Sequence, residues 1–157
     1  MPGLIPAPNK ERRIVMLNLY QLYEQFMQLE NAYKNAETRE EQLKHYECYR
    51  EWWNRLEELG STYAYVVGRF CKSKKAGNDF LDVDGDESAT PEELATVFHE
   101  LGITQFTFSS TWSGALVEAN RFTKCGYHLI GMTEVYTKYK DLDGNIEKAP
   151  ALVFSED

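Results

Sequence analysis

Val15, Leu19, Leu22, Phe26, Leu29 and Tyr33 recur at spacings of four and three residues. No other feature limits the fold so tightly, because an unbroken apolar stripe at that period is one face of an α-helix. Met16, Tyr20, Tyr23 and Met27 widen the stripe, so the helix expected from Glu11 to about Ala36 buries a broad face. Thr38-Arg39-Glu40-Glu41 then forms a capping-box pattern, in which the hydroxyl accepts from an early backbone N–H while Glu41 reaches back. A second helix is expected to run from there to Leu59, with Leu43, Tyr46, Tyr49, Trp53 and Leu56 inward. Gly60 stands where a left-handed C-cap belongs. The short link makes the pair an antiparallel hairpin. Ser61 to Cys71 suits a strand as well as a helix and is taken as a helix. Ser73 to Asn78, with Gly77-Asn78, reads as a break.

The second half alternates. Thr90-Pro91-Glu92-Glu93 is a helix start, with Leu94, Val97, Phe98 and Leu101 facing a core and Gly102 ending the helix. Gln105 to Ser109 reads as a short strand. Trp112 to Lys124 reads as a helix with Trp112, Ala115, Leu116, Ala119 and Phe122 inward. Tyr127 to Lys140 reads as a long strand with a bend at Gly131, and Asp143-Gly144 as a hairpin turn. Ile146 to Phe154 returns antiparallel, and Pro150 marks it as an edge strand. The strand–helix–strand unit at 105–135 predicts a right-handed parallel crossover. The chain thus reads as one α+β domain over 1–157, with a helical half at 1–72 and an α/β half at 79–157. Its N-terminal antiparallel helical hairpin is expected to pack with a small mixed sheet in the order helix-strand-helix-strand-strand.

The apolar fraction of 43% over 157 residues is enough for a packed core without staples. Cys48, Cys71 and Cys125 are too scattered for a disulfide framework or a zinc knuckle, so reduced thiols in the cytoplasm are expected. No stretch approaches the roughly 20 apolar residues of a membrane span. The net charge of −8 opposes direct contact with nucleic acid or anionic membranes. That charge is segregated: residues 72–157 carry 8 basic and 15 acidic residues, and 79–100 carry eight acids with no Lys or Arg.

Three candidate sites follow. The first is the acidic segment as a docking surface, through Asp82, Asp84, Asp86, Glu87, Glu93 and Glu100, for a basic protein surface such as that of a nucleic-acid-binding protein. A solvated face that only aids solubility explains the charge equally well. The second is calcium. Asp82, Asp84, Asp86, Ser88, Thr90 and Glu93 put oxygens at positions 1, 3, 5, 7, 9 and 12 of a loop that resembles a calmodulin-type loop with its outgoing helix. Glu87 stands where that loop needs Gly, and Ala89 where a larger apolar residue belongs. Apart from that ion, no cofactor is expected. The third is an anion site at Ser109, Ser110, Thr111, Ser113 and Gly114, where a strand end meets a helix N-terminus. Ordinary N-capping explains those residues more simply. His45, His99 and His128 lack a sequence-level nucleophile partner, so the balance leans against an enzyme.

Residues 93–135 carry a resemblance. A helix ending at Leu101-Gly102, the strand Phe106-Thr107-Phe108, Asn120 to Lys124, and Lys124, Gly126 and Tyr127 before a strand are similar to the C-terminal half of GNAT-type N-acetyltransferases. The resemblance implies acyl transfer, or binding of an anionic ligand at 109–114. The family's Gly-rich acetyl-CoA turn is missing, and Asp84-Gly85-Asp86-Glu87 stands near its place. In composition and in Trp112–Val135 the chain also resembles small uncharacterised proteins carried on mobile elements of gut bacteria. That resemblance implies an accessory or inhibitory role through contact with another protein.

Overall fold

The computed structural model describes residues 18–85 and 89–156. The first turns expected of the N-terminal helix, and Asp86, Glu87 and Ser88, lie outside the described residues. In chain order the elements are α1 (Leu19–Lys34), α2 (Arg39–Leu59), α3 (Ser61–Ala76), β1 (Asp82–Val83), α4 (Pro91–Glu100), β2 (Gln105–Phe108), α5 (Ala115–Phe122), β3 (His128–Lys140) and β4 (Ile146–Ser155). The class is α+β, with helices first and a mixed sheet after them. The chain divides into two compact units, Met1–Val67 and Gly68–Asp157, with the boundary inside α3.

In the first unit, Asn18 caps α1 and Thr38 caps α2 through their side-chain oxygens. Glu41 reaches back as the capping pattern predicts, but to the N–H of Glu37 rather than that of Thr38. Phe26 of α1 meets Tyr49, Trp52 and Trp53 of α2 at ring distances of 6.1–6.2 Å, while Tyr33 meets Tyr46. Later residues of one helix thus meet earlier residues of the other, which is the expected antiparallel hairpin. Of the expected stripe of α2, Leu56 is buried and Tyr49 and Trp53 are half-buried against Phe26, while Trp52 and Leu59 complete the buried face. Trp52 turns inward because its indole N–H finds Gln25 Oε1 at 3.0 Å. Leu43 and Tyr46 stay at the surface near the hairpin's turn. Gly60 has φ 146° and ψ 141°, a positive φ that favours glycine but lies outside the left-handed helical cap expected, and α3 starts at once after it.

In the second unit, α3 runs through the expected break to Ala76. The Gly77 N–H bonds the Lys74 carbonyl and the Asn78 N–H that of Ser73, with Gly77 at φ 100°. This is a Schellman closure, one residue beyond the helix. The sheet order is β1-β2-β4-β3. β1 is parallel to β2, and β4 is antiparallel to both β2 and β3. So β2 and β3 are parallel as the crossover requires, but β4 lies between them.

β4 is therefore not simply an edge strand, which corrects the expectation drawn from Pro150. β2 covers only Leu152–Ser155, and Pro150 lies in the half beyond it, opposite Glu134. Tyr136 turns its backbone N–H and C=O away from β4, toward the Asn78 side chain. The pair Tyr136·Lys148 is thus a non-bonded pair, and so is Glu134·Pro150 two residues on. A proline costs no ladder bond there.

Residues opposite one another across the strands share a face, so Phe106, Phe108, Leu152, Phe154, Leu129 and Met132 all point to one side. On that side Phe106 touches the rings of Phe98 (α4), Phe122 (α5), Tyr127 and Phe154 at 4.8–5.1 Å. Tyr127 is buried, and its hydroxyl donates to the Ile103 carbonyl at 2.7 Å. α4 begins with the predicted capping box of Thr90 and Glu93 and ends at Gly102. α5 is shorter than expected: Trp112 lies before it, and Leu116 is 81% exposed rather than inward.

Candidate functional site

Asp82 is the first residue of a strand that the sequence does not announce. It lies in register with Thr107, so both side chains stand on the face opposite Phe106, and Ser109 is two residues further along. Thr107 donates to one Asp82 carboxylate oxygen at 2.7 Å and Ser109 to the other at 2.6 Å. Arg69 of α3 donates from Nε to the Asp82 carbonyl at 3.0 Å and brings its Nη2 to 3.7 Å from the carboxylate. Its Nη1 pairs with Asp84 at 3.3 Å. Ser73, one helical turn after Arg69, accepts from the Asp82 N–H at 3.0 Å. Asp82 is 4% exposed, and its burial raises the carboxyl pKa above the usual value while the two hydroxyls and Arg69 oppose that rise. The network fastens α3, β1 and β2 together. Its carboxylate is buried, with one hydroxyl donating to each oxygen.

Above it, the loops leaving the parallel strands β1 and β2 meet. A Cβ on Gly85 would stand 2.2 Å from Ser110 Oγ, 2.6 Å from its Cβ and 3.0 Å from the Trp112 ring, and Gly85 has φ +84°. A Cβ on Gly114 would strike the same Trp112 ring at 2.3–2.7 Å. Trp112 is thus seated between two glycines and still 41% exposed. Gly85→Ala is expected to cost about 2–4 kcal/mol, backbone strain plus overpacking. Gly102→Ala, with φ +71° and nothing within 4 Å, should cost only the backbone share. Equal midpoints for the two variants in thermal denaturation would contradict this packing.

Of the expected anion site, Ser109 is committed to Asp82, and Ser110 Oγ is buried against Gly85 without a hydrogen bond. Thr111 and Ser113 are exposed, and Gly114 caps α5 without a side-chain bond. Of the expected acidic surface, Asp84 is paired with Arg69, Glu93 closes the capping box, and Glu100 is exposed. Glu92 grips Arg121 of α5 through both carboxylate oxygens, and that contact lowers the carboxyl pKa. For calcium, Asp82 and Glu93 carry these protein contacts, and Asp86 and Ser88 lie outside the described residues. Among the described residues no three His, Cys, Asp or Glu side chains converge. His99 has both nitrogens engaged, Nδ1 with Glu156 at 2.9 Å and Nε2 with the Cys125 carbonyl at 3.0 Å, and it stacks on Tyr127. No described helix is long and apolar enough to cross a membrane.

The feature that sequence reasoning missed is an open flank of the sheet. Leu129 and Met132 of β3 point to the face that buries Phe106 and Phe154, yet they are 51% and 70% exposed. Arg121 marks the α4 side of α5, and at helical spacing Leu116 lies on the other flank of the buried Ala119–Phe122 stripe. Leu116 on α5 and Leu129 and Met132 on β3 are thus large apolar side chains that this unit leaves exposed. The inward assignment of Leu116 rested on its periodicity, which cannot tell how far a covering layer extends. Arg69 was legible only as a charged residue in the helix expected over 61–71, and Ser73 only as the start of the expected break.

A family model described as a domain of unknown function (DUF7698) matches residues 65–156, nearly the whole second unit. No curated protein and no solved structure matches the chain.

Proposed function

The chain belongs to the DUF7698 family, and from the geometry of that region we propose that it binds another protein, one that presents an apolar projection within a basic surface. The observation that carries this reading is that Leu129 and Met132 are exposed on the sheet face that buries Phe106 and Phe154 at its β2 end, while α5 exposes Leu116. Exposed apolar side chains gathered on one face suit a contact surface, whereas scattered ones need no explanation. The partner's sign follows from charge. The chain carries −8, and the segment 79–100 has eight acids without a Lys or Arg. The acidic segment acts mainly at a distance in this reading, because Asp82, Asp84, Glu92 and Glu93 are engaged internally. The resemblance to mobile-element accessory proteins agrees with such a role, and so does the expected cytoplasmic setting.

The test is affinity capture from the cells that make the protein, comparing wild type with Leu116→Ser/Met132→Ser and with Glu100→Gln. The serine pair is expected to lose the captured partner. The single neutralisation should slow association and weaken its salt dependence, leaving the complex otherwise intact. Equal recovery of the same partner by the serine pair would sink the reading.

A further inference from the structure

Among the described residues β3 is an outer strand of the sheet, and its outer edge is closed at one point by a side chain. Asn78 Nδ2 donates to the Tyr136 carbonyl at 3.1 Å, and Asn78 Oδ1 accepts from the Tyr136 N–H at 2.8 Å. One primary amide thus makes both bonds that the backbone of a neighbouring strand would make at that residue. The turn that delivers it is specific. Gly77 at φ +100° closes α3 and lies 3.5 Å, at its virtual Cβ, from the Tyr136 ring.

We infer that Asn78 guards the outer edge of β3 against pairing with a second copy of this chain. An unguarded strand of this kind is a template for strand addition. β3 runs for 13 residues and shows Leu129, Ile130, Met132 and Tyr139 to solvent. A second copy fits because the two edges are identical and an antiparallel twofold makes identical edges complementary. The charges agree: with Tyr136 on the axis, Glu134 of each copy comes opposite Lys138 of the other. This inference stands apart from the proposed partner surface, since it concerns the plane of the sheet and not its face.

Asn78→Ala removes both bonds and is compared with wild type by sedimentation velocity over a concentration series, with amide exchange read at Tyr136. Faster exchange at Tyr136 is expected at the dilute end of the series, where the variant is monomeric, together with a concentration-dependent rise in mass toward twice the wild-type value. Adding Lys138→Glu places Glu opposite Glu and is expected to reverse the rise. Unchanged exchange, or faster exchange without a rise in mass, overturns the inference. So does association that Lys138→Glu leaves untouched. Should Asn78→Ala lose its fold by circular dichroism, Asn78→Asp serves instead. Its carboxylate still accepts from the Tyr136 N–H but cannot donate to the carbonyl, so an intermediate rise is expected and no rise refutes the guard.

Discussion

Replacing Phe106 with alanine is expected to destabilise the second unit by about 3–5 kcal/mol, the largest loss for any single side chain in it. The ring is fully buried and touches four other rings, from α4, α5, β4 and the segment before β3. Those neighbours are held by separate elements and cannot all move inward to fill the space, so most of the cavity remains. For a unit of this size the thermal midpoint should fall by roughly 12–40 °C. Phe106→Leu keeps most of the volume and should lose less than half as much. A calorimetric scan in which both variants melt within a few degrees of wild type would refute a single aromatic centre.

The second large effect belongs to Asp82. Asp82→Ala leaves the Thr107 and Ser109 hydroxyls without the carboxylate they donate to and Arg69 without one of its two counter-charges. The expected cost is about 2–4 kcal/mol, held below that of a fully buried pair because Arg69 keeps Asp84. Asp82→Asn isolates the charge. Burial raises the Asp82 pKa, so the folded state holds that proton more tightly than the unfolded chain. The stabilisation of the protonated form is complete below the usual 3.8 and is lost as pH rises through the raised value. Asparagine carries no such loss. The stability difference between Asp82→Asn and wild type should therefore shift in favour of the variant as pH increases from about 4 toward 7. A difference that stays flat, or shifts toward wild type, would mean that the hydrogen bonds outweigh burial.

Most elements were legible because local chemistry determines them. Thr38, Thr90-Pro91 and Gly102 mark helix ends through bonds that close within a few residues. β1 was hidden because its two residues make a parallel pair with β2, 25 positions away, inside a segment whose carboxylates resemble a metal loop. Asp82 illustrates the ambiguity. Its sequence neighbours are acids, whereas its spatial neighbours are Thr107, Ser109, Arg69 and Ser73. The strand order was hidden for a similar reason: Pro150 reports only that one residue lacks a bonded neighbour on one side, and β4 is central at one end and marginal at the other. The open flank depends on the length of α5, eight residues against the 13 of β3, and no single residue encodes it.

The position of β4 bears on how the chain is made. Of the four strands of this sheet it is the last in chain order, and it is the one that joins β2 to β3. A nascent chain that has emerged only as far as Lys140 holds a two-residue parallel pair and a long strand with no neighbour in the sheet. Phe106 is then missing the stacked ring of Phe154. The sheet must therefore close after synthesis of residues 146–155 and not progressively with it. Until then β3 exposes both its edges, and the Asn78 amide can shield only one.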